Sequence, residues 1–511
     1  MQKHLLVLRW VNRYSTVVGL MGLVVVAAVM RFWKLGTLPP GLSISEARFG
    51  ESVAALINHG QLPSFTAFDS YSPLMVAMQA LPLKLLGPST WSLRLVPAMF
   101  GVLAVVALWF WGRAWFGDRI AWIAAFLMAV SPWAVSLSRN VSASALIMLL
   151  VPLTFWLTTV SYRRNEAKLW LFLGVVLGLD MLAGPIAQVA VGLVLFTGII
   201  WLVSSRQMPG FAPACVAALI IAACLAAGAG YLVAVHPSGF ATLPGQLGLP
   251  AGAAAIFATV VSALLMFNVR GDANFAHNLG GEPLLNIFVG MMFIAGLLVA
   301  ATRIGANRYR RLLLVFVVFL IPAMLSVAGA PNAARAVGVL PVTMLLAAIG
   351  ISYLLQLWYS TFPINSAARV SGQSAVGLLL LLTAFQGYTQ YFHAWAGSAE
   401  TYATYNEAAV GASNFTDKAA AKSKVNRFLV VANDEIPVAE FLTADTSGRV
   451  IQATQLTGMP VTPGTYDFVL TTAARQQTVK ALADKFPGGK LKPYYSNFND
   501  SDIFYDYQVT K

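Results

Sequence analysis

The sequence predicts a polytopic α-helical membrane protein with about 11 transmembrane helices, extracytoplasmic interfacial helices and a small C-terminal α/β extracytoplasmic domain. Three observations predict it. Of the 511 residues 58% are hydrophobic and only 10% charged, where soluble domains carry about 25% charged residues. Apolar runs of spanning length recur from residue 16 to residue 395. Beyond 395 those runs stop, and short strand-like segments take over.

Runs of about 17–25 apolar residues are read as spans. They fall at 16–34, 92–116, 119–138, 142–161, 168–184, 186–203, 211–235, 284–302, 312–329, 337–358 and 373–395. The basic start, MQKHLLVLRWVNRYS, runs into the first of them without a small-residue cleavage site. It reads as an uncleaved helix with a cytoplasmic N-terminus. The clusters Arg163/Arg164/Lys168, Arg206 and Arg303/Arg308/Arg310/Arg311 are then all cytoplasmic, as the positive-inside rule expects. That holds only if the further apolar run 251–267 does not cross.

The pattern in that run agrees. Ile256, Phe257, Val260, Val261, Leu264 and Leu265 share one helical face, opposite Ala258, Thr259, Ser262 and Ala263. Such an amphipathic helix lies in the outer interface; the bland alternative is a twelfth span. The formal charge of +13 therefore belongs to loops at the membrane rather than to nucleic-acid binding. Cys215 and Cys224 share one apolar segment, so neither a disulfide framework nor a thiolate metal site is implied.

This topology makes 1–395 a membrane domain in an envelope membrane, as in a bacterial plasma membrane. Its outer side collects the first loop 35–91, the Ser138-Arg139-Asn140 turn, the segment 236–283 and the turn 330–336. Residues 396–424, rich in Ala, Ser and Asn, read as a helical linker. In 425–511 the pieces 426–433, 449–454, 466–472, 490–496 and 502–509 read as strands and 473–486 as a helix, giving a small α/β domain.

The first outer loop is unusually polar for this chain. It holds Glu46, Arg48, Glu51, His59, Asp69 and Tyr71. Elsewhere on the same face are Arg94, Arg139, Arg335, His236 and His277. Ionisable groups beside a bilayer are costly and are functional candidates by default. Arginine presents a fork suited to phosphate oxygens. Carboxylates with several arginines suit a polyprenyl-phosphate-linked donor: a carboxylate, Glu46 or Asp69, takes a proton from the acceptor, and the cations stabilise the departing phosphate. The competing account is that each arginine snorkels to lipid headgroups.

In GDANFAHNLGGEPLLN (271–286) a Gly-punctuated loop carries Asp272, His277, Asn278 and Glu282. Its spacing matches no standard metal site, so no metal ligands are assigned. In the plainer account it is a solvated loop with a helix start at Glu282-Pro283. Asp180, near the outer end of its helix, either lines a cavity or serves packing.

The stretches SEARFGESVAALINHG, FDSYSPLMVAMQALPLKLLG and SLRLVPAMFGVLAVVALWFWGRAWFGDRIAWIAAFLMAVSPWAVSLSR resemble the N-terminal half of GT-C membrane glycosyltransferases. More closely, they are similar to the protein O-mannosyltransferase and aminoarabinose-transferase superfamily, as are RGDANFAHNLGGEPLLN and PNAARAVGVLP. The resemblance covers roughly residues 15–395. It implies transfer of a sugar from a polyprenyl-phosphate-sugar to a protein, lipid or glycan acceptor on the outer face. It fixes no cofactor and leaves a divalent metal open, because related enzymes differ. The family's first-loop Asp-Glu pair is Ser45-Glu46 here. Serine has no suitable pKa to serve as a base unaided. The resemblance thus points to Glu46 as the catalytic carboxylate, with Asp69 as the alternative. It makes Arg94, Arg139, Arg335 and His277 phosphate-side candidates, with Arg48, Tyr71, Asp272, Asn278 and Glu282 as further cavity candidates. A transporter or flippase of lipid-linked precursors and an inactive polyprenyl-phosphate-binding homologue are the rival readings. Charge gathered on one face favours the enzyme over a transporter.

Overall fold

The computed structural model describes residues 2–60, 72–204, 252–325, 331–420, 425–444, 449–459, 463–496 and 501–510. Its helices are α1 (Gln2–Phe32), α2 (Ile44–His59), α3 (Pro73–Leu86), α4 (Thr90–Phe116), α5 (Asp118–Val130), α6 (Pro132–Arg139), α7 (Ser144–Arg164), α8 (Ala167–Ala183) and α9 (Pro185–Ser204). They continue as α10 (Ala253–Leu265), α11 (Ile287–Thr302), α12 (Asn307–Met324), α13 (Leu340–Thr361), α14 (Ser366–Thr389), α15 (Ala399–Thr404), α16 (Glu407–Ala420), α17 (Ile436–Thr443) and α18 (Thr472–Lys485). The strands are β1 (Asn426–Val431), β2 (Arg449–Gln452), β3 (Thr465–Thr471), β4 (Lys490–Tyr495) and β5 (Asp502–Thr510).

Five described helices are long and apolar enough to cross a membrane: Tyr14–Phe32, Thr90–Phe116, Ser144–Arg164, Val337–Thr361 and Ser366–Trp395. A sixth is counted if α5 and α6 form one span, bent by 58°. That bend replaces the straight helix expected over 119–138. Ser131 caps α6 by accepting from the Ala134 N–H, and Pro132 occupies its first turn, where a missing N–H costs nothing. The other expected spans fall on shorter or more charged helices, α8, α9, α11 and α12, and 211–235 lies outside the described residues.

The chain forms two compact units. The first comprises Met1–Trp33, Ser64–Met75 and Pro97–Tyr391. The second comprises Lys34–Pro63, Val76–Val96 and Phe392–Lys511. Compactness therefore does not follow the linear division into 1–395, 396–424 and 425–511: much of the first outer loop groups with the C-terminal residues.

In the first unit α13 is buried on every side from Leu340 to Ser352, as expected of a helix that is apolar all round. It packs backbone to backbone on α11. A Cβ at Gly296 would run into the Leu346 carbonyl, and one at Gly350 into that of Met292. Small residues at such crossings let membrane helices approach closely. In α10 the small face is packed, with Thr259 and Ala263 buried. The large side chains of Ile256, Phe257, Leu264 and Leu265 are exposed, as an apolar face presented to lipid would be. The helix expected to open at Glu282-Pro283 instead opens at Ile287, behind an Asn286 cap. The N–H groups of Leu284 and Leu285 donate to the carbonyls of Met266 and Phe267, which holds 284–285 out of the helix.

The second unit contains a five-stranded sheet in the order β2-β1-β3-β5-β4. β1 is parallel to β2 and β3, and β5 is antiparallel to β3 and β4. All five expected strands and the expected helix are present within a residue or two. Phe428, Val430, Tyr466, Phe468, Leu470, Tyr505 and Tyr507 pack one face with Ala474, Leu482 and Phe486 of the α18 region. Leu429, Val431, Val469 and Phe504 pack the other with Ala412 of α16 and Ala439 of α17. Cover on both faces explains why β1 reads as a continuous apolar run. Within the stretch 396–424, Glu407–Ala420 form α16, a layer of this fold.

On the α16 face the sheet buries charge. Arg427 Nε donates to Asp467 Oδ2 at 2.7 Å, and Gln508 donates to Asp506 at 3.0 Å. Burial pushes the Asp506 carboxyl up to about 8, and Asp467 adds to this against Arg427 and Lys492. A carboxyl raised on folding stabilises the fold below its ordinary value of 3.8 and loses that contribution as pH rises through about 8. Limited proteolysis of the whole protein is expected to release C-terminal fragments more readily at about pH 8 than at about pH 5, for a loss of roughly 1–2 kcal/mol. Asp506→Asn should flatten this dependence; an unchanged slope would contradict the assignment.

Candidate functional site

Sequence and capping chemistry place Glu46. Ser43-Ile44-Ser45-Glu46 is a capping box, in which the N-cap hydroxyl and the third-residue carboxylate satisfy each other's backbone N–H groups. The Glu46 N–H donates to Ser43 Oγ at 3.2 Å, and the Ser43 N–H donates to Glu46 Oε2 at 3.0 Å. Arg94 then reaches the same carboxylate, its Nε at 3.1 Å from Oε1 and its Nη2 at 2.9 Å from Oε2. Both side chains are 0% exposed. The remaining Arg94 donors go to the Pro39 carbonyl at 2.9 Å and the Gly41 carbonyl at 2.5 Å, and its guanidinium lies over the Tyr405 ring.

One buried ion pair therefore ties the strap 39–43 to the start of α2. The strap is held from its other side by Asn406, which donates to the Leu42 carbonyl. Gly41, at φ 127°, is required there, because a Cβ would strike the Tyr405 carbonyl. Further along α2, Gly50 lies flat against the Phe441 ring of α17. The solvent side of the same helix presents Ser45, Arg48 and His59. Burial, then Glu440, raises the Glu51 carboxyl above its usual range, with Arg48 opposing. Asp69 and Tyr71 lie outside the described residues.

The first unit brings other predicted residues together. Asp272 is the hub: its Oδ1 accepts from the Asn274 N–H and its Oδ2 from the Ala333 N–H, both at 2.8 Å. His277 Nδ1 stands 3.5 Å from the same Oδ2 and makes no hydrogen bond among the described residues. Asn278 closes the loop by donating to the Asp272 and Glu282 carbonyls. Gly271 leaves room for that closure, since a Cβ would meet the Glu282 carbonyl. Asn140, next to Arg139, donates to the Ala276 carbonyl, and Trp133 to that of Ala333. Loop 271–282, the end of α6 and the turn at 332–336 are thus latched into one body. Asn332 accepts from the Arg335 N–H within that turn, Arg335 is half-buried, and Glu282 is exposed.

Arg139 is placed differently from a solvent-facing phosphate ligand. It is fully buried, and its Nη1 donates to the Met30 and Arg31 carbonyls at the end of α1. Arg31, which the sequence reading passed over, answers it by donating to the Met128 and Ala129 carbonyls at the end of α5. Each guanidinium thus sits on the C-terminal carbonyls of a neighbouring helix, where the helix dipole favours a cation. Gly101 keeps the space beside Arg31 Nε open. Asp180 is buried on α8 and accepts from Thr154 Oγ1 of α7 at 2.6 Å. No three His, Cys, Asp or Glu side chains converge as metal ligands among the described residues.

The first unit is helical and the second carries a small five-stranded sheet. The comparisons agree. The family model described as dolichyl-phosphate-mannose-protein mannosyltransferase matches residues 70–235. A Bacillus subtilis protein, YkcB, named as a candidate mannosyltransferase, is 30% identical over 99 residues, 19% of this chain and 14% of its own length. Over whole chains, the crystal structure of ArnT from Cupriavidus metallidurans in the apo state aligns with a TM-score of 0.56 at 14% identity, covering 98% of both. The same protein bound to undecaprenyl phosphate gives 0.56 at 13% identity. The Archaeoglobus fulgidus oligosaccharyltransferase tethered with an acceptor peptide gives 0.51 at 14% identity, covering 97% of this chain and 74% of that one. The resemblance read from the residues thus has a counterpart in the family match over 70–235 and in a fold shared along the whole chain with ArnT.

Proposed function

We propose that this protein is an integral membrane glycosyltransferase that moves a sugar from a polyprenyl-phosphate-linked donor to an acceptor at the outer membrane face. The observation that carries this reading is the Asp272 latch, which fixes a His277-bearing loop against the Arg335 turn in a fold shared with a protein crystallised with undecaprenyl phosphate. In the reaction the acceptor hydroxyl or amide attacks the anomeric carbon. The bond from that carbon to the phosphate oxygen breaks, the acceptor's proton passes to a carboxylate, and polyprenyl phosphate departs as an anion. His277 and Arg335 are the groups we assign to that anion, as donors aimed where charge develops.

Glu46 fits a positioning role better than that of the base, because Arg94 and the Ser43 N–H engage both its oxygens. Asp69, the other first-loop acid singled out by the sequence, is the base we propose. The N-terminus lies in the cytoplasm and the C-terminal unit outside, with α10 in the outer interface of a bacterial plasma membrane. Radiolabelled sugar transfer from polyprenyl-phosphate-sugars in proteoliposomes tests the assignment. Asp69→Asn is expected to lower turnover by about 10²-fold or more with unfolding unchanged. Wild-type turnover in that variant would remove Asp69 from the mechanism.

A further inference from the structure

The end of the first unit where α4 and α7 finish and α12 begins carries a group of cations that the transfer reaction does not use. Arg308 lies over the rings of Phe116 and Tyr309, 6.0 and 5.1 Å from their centroids. Arg311 lies 5.3 Å over Trp115, and Arg303 5.4 Å over Tyr353. The rings are themselves fixed: Trp115 Nε1 donates to Thr159 Oγ1 at 2.7 Å, and Phe116 meets Tyr309 at 5.6 Å. Arg163 and Arg310 crowd Arg311 with like charge. Among the described residues none of these arginines has a carboxylate within 4.0 Å; the nearby Asp118 is taken by Arg113.

Like charges held together without counter-ions call for an external anion. Arg311 Nε donates to the Asn307 carbonyl at 3.2 Å, and a guanidinium laid on an aromatic face still presents its Nη edge to phosphate oxygens. The chemistry of the flanks selects the anion's source. Ile304, next to Arg303 in the chain, and Leu314 and Val317, one and two turns beyond Arg311 on α12, are exposed apolar side chains, so cations and hydrocarbon contact follow one another along the chain. We propose that this surface is a docking site for an anionic phospholipid, its phosphate between Arg308 and Arg311 and its acyl chains along α12. A soluble polyanion would gain nothing from the apolar flank.

Native mass spectrometry of the full-length chain, titrated with phosphatidylglycerol or phosphatidylcholine of the same acyl chains, reads this directly. Each arginine near such a headgroup is worth about a factor of five, so wild type should favour phosphatidylglycerol by roughly ten-fold or more. Salt should erode that preference. The combined Arg308→Gln, Arg310→Gln, Arg311→Gln variant should lose most of it, and the matching lysine variant should keep most of it. Equal retention of the two lipids by wild type, or an undiminished preference in the glutamine variant, would overturn the proposal. Should the glutamine variant fail to fold, a wild-type preference indifferent to salt would overturn it equally. No step of this test depends on sugar transfer.

Discussion

Replacing Arg94 with alanine is expected to destabilise the protein by about 3–5 kcal/mol, because it strands a fully buried carboxylate. Glu46 and Arg94 are both 0% exposed and joined through two hydrogen bonds. Arg94 also supplies the donors for the Pro39 and Gly41 carbonyls, so its loss frees the strap as well as the charge. Arg94→Lys should recover only part of the effect, since an ammonium lacks the planar fork that reaches the carboxylate and both carbonyls. Glu46→Gln should likewise act first on stability, and the double variant Glu46→Gln/Arg94→Gln should cost less than the two single changes summed. Thermal unfolding and protease sensitivity in nanodiscs check this. Glu46→Gln with unaltered unfolding and abolished transfer would return the role of base to Glu46.

The second large effect is expected at the latch. His277→Ala should reduce kcat/KM by about 10²-fold and leave unfolding within about 1 kcal/mol, because its side chain makes no hydrogen bond at Nδ1. Asp272→Ala should lose both activity and about 1–3 kcal/mol, since the N–H groups of Asn274 and Ala333 are left without an acceptor. Comparing the two separates a group that meets the donor from one that positions it. Equal loss of stability in both variants would mean that His277 serves only the latch.

Much of this was legible in the residues. The strands of the C-terminal unit are short apolar runs bounded by polar turns, and they fold where the pattern puts them. The amphipathic stripe of α10 was read correctly as a helix, and its exposed large residues follow from packing by Thr259 and Ala263. The capping box at Ser43-Ile44-Ser45-Glu46 was also written in the sequence, as a serine three residues before a glutamate at the start of a helix. Other features depend on distant pairings that local patterns do not carry. Arg94 meets Glu46 across 48 residues, and Arg31 meets the end of α5 across about a hundred. An arginine on a carbonyl cluster and an arginine on an anion share one sequence signature, so the contacts of Arg139 Nη1 with the Met30 and Arg31 carbonyls were not legible in advance. The same limit applies to Glu282-Pro283, where the backbone pairing of Leu284 and Leu285 with Met266 and Phe267 overrides a good helix start.

The central claim, transfer rather than transport, is tested most directly by following the donor lipid. Purified protein in proteoliposomes should convert a polyprenyl-phosphate-sugar into free polyprenyl phosphate, in step with sugar appearing on an acceptor. His277→Ala should slow both together. Intact donor arriving in the opposite leaflet, with neither polyprenyl phosphate released nor acceptor glycosylated, would contradict the account and establish a flippase instead.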